Sequence, residues 1–102
     1  MFADDGRIFR GVNVENASYG LTMCAERAAV FSAVGSGART LAAVAVVSSS
    51  RDETWPCGAC LQVLHEFGPG MLVATEDAEG RPVTRGIEEL LPEAFGPSDL
   101  PG

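Results

Sequence analysis

An α/β domain built on a central mixed sheet is the fold class this chain predicts, and three observations predict it. Short apolar runs alternate with stretches of helical periodicity, the pattern of strands and helices laid one against the other. Glycine-rich stops at Gly35-Ser36-Gly37 and Gly68-Pro69-Gly70 close the two helical stretches, as helix C-termini require. The last two strand-like runs are joined by a connection too short for a crossover helix, so they pair antiparallel. A chain of 102 residues makes a single domain, 1–102, near the lower end for an independent core.

Taken in order, Met1 to Arg7 reads as a hairpin, because Asp5-Gly6 suits a tight turn with positive φ. Ile8 to Val14 alternates, which predicts a strand burying Ile8, Val12 and Val14. Asn16 to Leu21 is a polar loop, and Thr22 is an expected N-cap, its hydroxyl able to accept from a first-turn amide. Cys24, Ala28, Phe31 and Val34 then recur at helical spacing. Leu41 to Val47 is rich in Ala and Val without alternation, the mark of a strand covered on both faces. A polar loop from Ser48 to Trp55 leads to Pro56, which opens a helix running to about Phe67. Met71 to Thr75 and Pro82 to Arg85 are strands about a turn at residues 77–81, and the acidic residues Glu76, Asp77 and Glu79 are expected in solvent. Ile87 to Leu91 is a helical turn broken by Pro92, and the tail from about 97 to 102 is expected to be loose.

Composition excludes several classes. A formal charge of −7 argues against tight nucleic-acid binding, which draws its affinity from clustered Lys and Arg. No apolar run reaches the length of a membrane span. No charged leader, apolar stretch and cleavage site come in succession, so a cytoplasmic protein is expected. Three cysteines cannot pair completely within one chain, and in a reducing compartment they read as metal ligands.

Their spacing supports that reading. Cys57 and Cys60, three apart, share one face of a helical turn, and Cys24 comes from the start of the other helix. Both motifs fall at helix N-termini, where the dipole and free amides favour thiolate over thiol. Three protein ligands leave a fourth position for water, the pattern of catalytic rather than structural zinc, and zinc lowers the pKa of such a water toward about 7. Glu26, two residues from Cys24, is placed to accept a proton there and to deliver it onward. Three thiolates on one Zn²⁺ carry a net charge of about −1. Arg27 is the cation expected to offset it by bonding cysteine sulfur.

The pattern Cys24-Ala25-Glu26-Arg27 followed by Pro56-Cys57-Gly58-Ala59-Cys60 matches the known signature of zinc-dependent base and nucleoside deaminases. With Asp5-Gly6-Arg7-Ile8-Phe9, Gly11 to Thr22 and Glu89-Leu90-Leu91-Pro92-x-Ala94-Phe95, nearly the whole chain resembles the small zinc-dependent cytidine deaminases that form homotetramers. The resemblance implies a three-layer α/β/α fold, one zinc per chain, and hydrolysis of cytidine or deoxycytidine with release of ammonia, a step of pyrimidine salvage. It implies that Cys24, Cys57 and Cys60 bind zinc and that Glu26 shuttles protons. It further implies that Asn13 and Glu15 bind the sugar hydroxyls, that the main chain of Ala25 contacts the pyrimidine, and that Tyr19 and Phe95 reach sites in neighbouring subunits.

Two departures stand out. Family members usually begin with a helix and a full first strand that carries a pocket aromatic, whereas Met1 here falls inside the end of that strand. Such a shortening would expose one sheet face and remove a wall of the substrate site. The second is Leu61, where many relatives carry Arg, which leaves Arg27 with more of the compensation.

Among other residues, His65 lies five positions beyond Cys60 and off its face, so a surface or packing role is expected. Trp55 reads equally as a lining of the pocket mouth and as an exposed or interface ring. Phe31, Leu64 and Phe67 are expected in the core. Rival readings are a non-catalytic zinc-stabilised module, a deaminase of a related nucleoside such as blasticidin S, and a nucleic-acid editor, the last opposed by the acidity.

Overall fold

A computed structural model describes residues 1–49 and 53–100. In chain order it contains β1 (Phe2–Ala3), α1 (Ala25–Gly35), β2 (Leu41–Ala45), α2 (Gly58–Phe67), β3 (Leu72–Glu76), β4 (Pro82–Gly86) and α3 (Ile87–Leu90), with 3₁₀ turns at Tyr19–Leu21 and Pro97–Asp99. The four strands form one sheet in the order β1-β2-β3-β4. β2 and β3 run parallel, with Val44 opposite Val73, and α2 makes the crossover between them. The pairs at either end are antiparallel. The mixed α/β sheet and the antiparallel β3–β4 pair are those the sequence indicates.

One core holds the layers together. Val30 and Ala33 of α1 and Leu61 and Leu64 of α2 pack with Leu41, Val44, Met71, Val73 and Ile87. Burying side chains of this size contributes about 1.5–3 kcal/mol each. α1 and α2 lie against each other and against one face of the sheet through these residues. On the opposite face a shallow apolar trough remains open, floored by Phe2, Ala43, Ala45, Leu72 and Ala74, with Leu72 53% exposed. The two-sided cover expected for Leu41 to Val47 is therefore absent among the described residues. No described helix is long and apolar enough to cross a membrane.

Several local expectations give way to tertiary structure. Ile8 to Val14 is not a strand: only the isolated bridges Phe2↔Ile8 and Val14↔Met23 hold it. Ile8, Val12 and Val14 are exposed, while Phe9 turns inward against the core. The reason lies at Gly11, whose backbone presses on α1 so closely that an added Cβ would stand 2.5 Å from the amide nitrogen of Ala29. With residue 11 facing the helix, its neighbours 10 and 12 face away.

Thr22 does not cap α1. Its hydroxyl accepts from the Asn16 amide at 3.0 Å, and Cys24 stands at the N-cap. α2 likewise begins later than Pro56, with Cys57 as its N-cap. The buried stripe of α1 is Ala29, Val30 and Ala33, so Phe31 faces outward and is half exposed. The hairpin turn is as expected, Gly6 adopting φ +93°. The tail is more ordered than expected over residues 97–99, where Asp99 accepts from the Gly96 amide at 2.8 Å. Residues 50–52 of the expected polar loop and residues 101–102 of the tail lie outside the described residues.

Candidate metal centre and substrate cleft

Cys24 and Cys57 each occupy an N-cap with extended backbone, and neither helix start carries a side-chain capping bond. Cys60 sits one turn into α2 and is fully buried. Because α1 and α2 pack together, the three sulfurs converge to within 4.8 Å of one another. Thiolates held at about 2.3 Å on a tetrahedral zinc stand just under 4 Å apart, so the donor set fits the ion with a small contraction. The sulfurs are soft donors of the kind zinc takes in preference to hard cations. His65 is not part of this group; its ring packs beside Gly96, 3.0 Å from where a Cβ would stand.

Arg27 faces the sulfurs. Its Nη2 donates to Cys24 Sγ at 3.4 Å, and the sulfurs of Cys24 and then Cys60 raise the guanidinium above its ordinary range. Its Nε is buried with no partner among the described residues. A buried donor left unpaired is costly, and sulfur carrying negative charge is the acceptor this environment offers. The thiols differ among themselves. The Cys60 amide, donating to Cys57, holds that thiol below its usual value, against some desolvation. Burial pushes Cys60 far up, as expected of a sulfur that takes charge only against a cation.

The cluster opens on a cleft of about 860 Å³. Its walls include Asn13, Cys24, Ala25, Glu26 and Cys57, so five of the residues singled out in the sequence meet in one place. Glu15 lies outside the lining but is held by the Asn13 side-chain amide, which donates to its carboxylate. Tyr19 and Phe95 are not in this cleft; both are exposed on the surface, and the Phe95 carbonyl accepts from Gln62 Nε2 at 2.6 Å. Trp55 does line the cleft and also packs on the core. Two contributors went unread in the sequence. Val44 to Val47 form a wall along the end of β2, indistinguishable in sequence from ordinary core strand. Gly11 was legible in principle, since a lone glycine within an alternating run signals close backbone approach.

A cleft of this kind, with three sulfur donors at paired helix starts and a carboxylate in the same lining, is an arrangement that metal-dependent hydrolases use. Comparison with known proteins narrows it. Residues 1–76 match the family model of the cytidine and deoxycytidylate deaminase zinc-binding region. A cytidine deaminase of Sporosarcina psychrophila is 44% identical over 101 residues, covering 98% of this chain and 74% of that protein. One from Mycobacterium tuberculosis (strain H37Rv) is 48% identical over 98 residues, covering 96% and 71%. A crystal structure of cytidine deaminase from Burkholderia pseudomallei superposes with a TM-score of 0.85 at 46% identity, over 92% of this chain and 76% of that one. The chain belongs to the cytidine deaminase family.

Proposed function

We propose that this chain hydrolyses cytidine or 2′-deoxycytidine to uridine or 2′-deoxyuridine and ammonia, with one zinc ion per chain held by Cys24, Cys57 and Cys60. The observation that carries the reading is the opening of the sulfur cluster and Glu26 onto one cleft large enough for a nucleoside. Zinc bound there would supply Lewis acidity and an activated water. Glu26 would take a proton from the attacking water and pass it to the ring nitrogen as the oxygen bonds to the amino-bearing carbon. It would then carry the second proton, from the new hydroxyl, to the amine, which leaves as ammonia when the carbon–nitrogen bond breaks. One carboxylate can serve both tasks because it lines the same cleft as two of the sulfurs. Arg27 offsets the surplus negative charge of three thiolates. Asn13 and Glu15 hold the sugar hydroxyls, and the main chain of Ala25, at the first turn of α1, meets the pyrimidine.

Tyr19 and Phe95, exposed here, serve the clefts of neighbouring copies in a homotetramer, and the enzyme works on free nucleosides in the cytoplasm. The test is loss of cytidine ultraviolet absorbance with zinc-loaded protein, run beside Glu26→Gln, with native mass measured on the same samples. Removing the proton shuttle is expected to lower turnover by at least about 10²-fold with zinc retained. Zinc-loaded parent protein that turns over no cytidine would sink the reading and leave a non-catalytic zinc-stabilised module.

A further inference from the structure

We infer that Trp55 is the aromatic wall against which the nucleoside is held, a specificity-determining residue for the reaction; the inference rests on the function proposed above. Trp55 lines the same cleft as Glu26 and Cys57 and stands two residues from that sulfur, with buried Pro56 between them. Pro56 fixes one backbone torsion of that short tether.

The ring is also braced from outside. Its Nε1 donates to Glu53 Oε1 at 3.2 Å. The Arg85 guanidinium of β4 lies 5.8 Å from its centroid, within the range of a cation–π contact. One residue earlier, the Thr54 amide donates to Thr75 Oγ1 at 3.3 Å, tying the segment to a buried residue of β3. The loop is thus tied to β3 through Thr54, and the ring itself meets a side chain of β4 before any ligand arrives. Preorganisation of this sort lowers the entropic cost of binding.

The chemistry of the occupant fits. A pyrimidine nucleoside presents a flat, weakly polar face, and aromatic side chains contribute to binding such faces through stacking and area. Apart from Phe9, Trp55 is the only aromatic ring that the described residues of the chain itself bring to its own cleft. Arg85, acting on Trp55 rather than on substrate, is its positioning residue.

The test uses the fact that the chain has one tryptophan. Zinc-loaded Glu26→Gln protein, with Trp55 intact, is titrated with cytidine while its fluorescence is followed. A saturable change is expected; an unchanged spectrum at cytidine concentrations that inhibit or occupy the site by calorimetry overturns the inference. In steady-state kinetics Trp55→Leu is expected to raise KM about tenfold, as loss of one base–aromatic stack would. Zinc content and kcat should stay near parent values, and Trp55→Phe should restore most of the loss. An unaltered KM in Trp55→Leu overturns the inference while leaving the deaminase reading intact. Absence of turnover in the parent protein would instead strike that reading.

Discussion

Gly11→Ala puts the placement of the cleft wall under direct test. A Cβ at residue 11 would stand 2.5 Å from Ala29 N and closer still to Ala25 O, the two groups that close the first turn of α1. Ordinary contact begins near 3.4 Å, so segment and helix must part by roughly 0.9 Å or more. Neither group can yield cheaply, because both are helix backbone. Overpacking of this kind costs about 1–3 kcal/mol, offset by the few tenths to 1 kcal/mol that alanine gains over glycine by restricting the unfolded chain. For a domain of this size a net loss of about 1–2 kcal/mol corresponds to a fall in thermal midpoint of roughly 4–16 °C. The assay is thermal unfolding of zinc-loaded protein at fixed concentration, since oligomerisation makes the midpoint concentration-dependent. Gly35→Ala, where nothing lies within 4 Å of the added Cβ, is the control and should leave the midpoint level or slightly raised. A Gly11→Ala midpoint equal to that of Gly35→Ala would refute the close approach and, with it, the explanation for the exposed Ile8 and Val12.

Two further outcomes follow from the metal centre. Arg27→Gln removes the guanidinium that donates to Cys24 Sγ; competition with a chromogenic chelator should show weaker zinc affinity, and cytidine turnover should fall by about tenfold or more. Equal affinity and turnover would show that the charge of the three thiolates is balanced elsewhere. Metal-free protein should lose stability as pH rises from 7 to 10, read by urea midpoints. Burial raises the Cys60 thiol in the folded state, so the unfolded chain releases that proton first, near pH 8.5. The stabilisation is complete below that pH and is lost above it. Cys57 is shifted the other way and offsets only part of the loss. Zinc-loaded protein, its ligands already deprotonated, takes up protons at those sulfurs when it unfolds and frees the metal below about pH 8.5. Its stability should instead rise with pH toward that value, and matching slopes for the two forms would refute the assignment.

The chemistry of this chain was more legible than its packing. Cys24, Cys57 and Cys60 could be brought together in advance because ligand spacing and helix starts are local properties, and only the packing of α1 on α2 had to supply the rest. The antiparallel β3–β4 pair followed from the length of its connection. Phase was harder. Phe31 sits at helical spacing from Cys24, yet the buried stripe of α1 runs through Ala29, Val30 and Ala33, since small residues admit the closer contact. The alternation of Ile8 to Val14 was real but set by a contact at Gly11 that periodicity does not encode. Thr22 has the chemistry of a cap, and the Asn16 amide took its hydroxyl first. Trp55 was ambiguous because its bracing comes from Thr75 and Arg85, residues far along the chain.

The helices that carry the ligands both begin on cysteine, without the hydroxyl or carboxamide that ordinarily quiets exposed amides at such an end. A cation gripped there acts as a clasp between segments 33 positions apart in the chain, from Cys24 to Cys57. Its grip is then counted in folding free energy as much as in affinity. Metal starvation would accordingly reach this domain as a folding stress as well as a loss of chemistry.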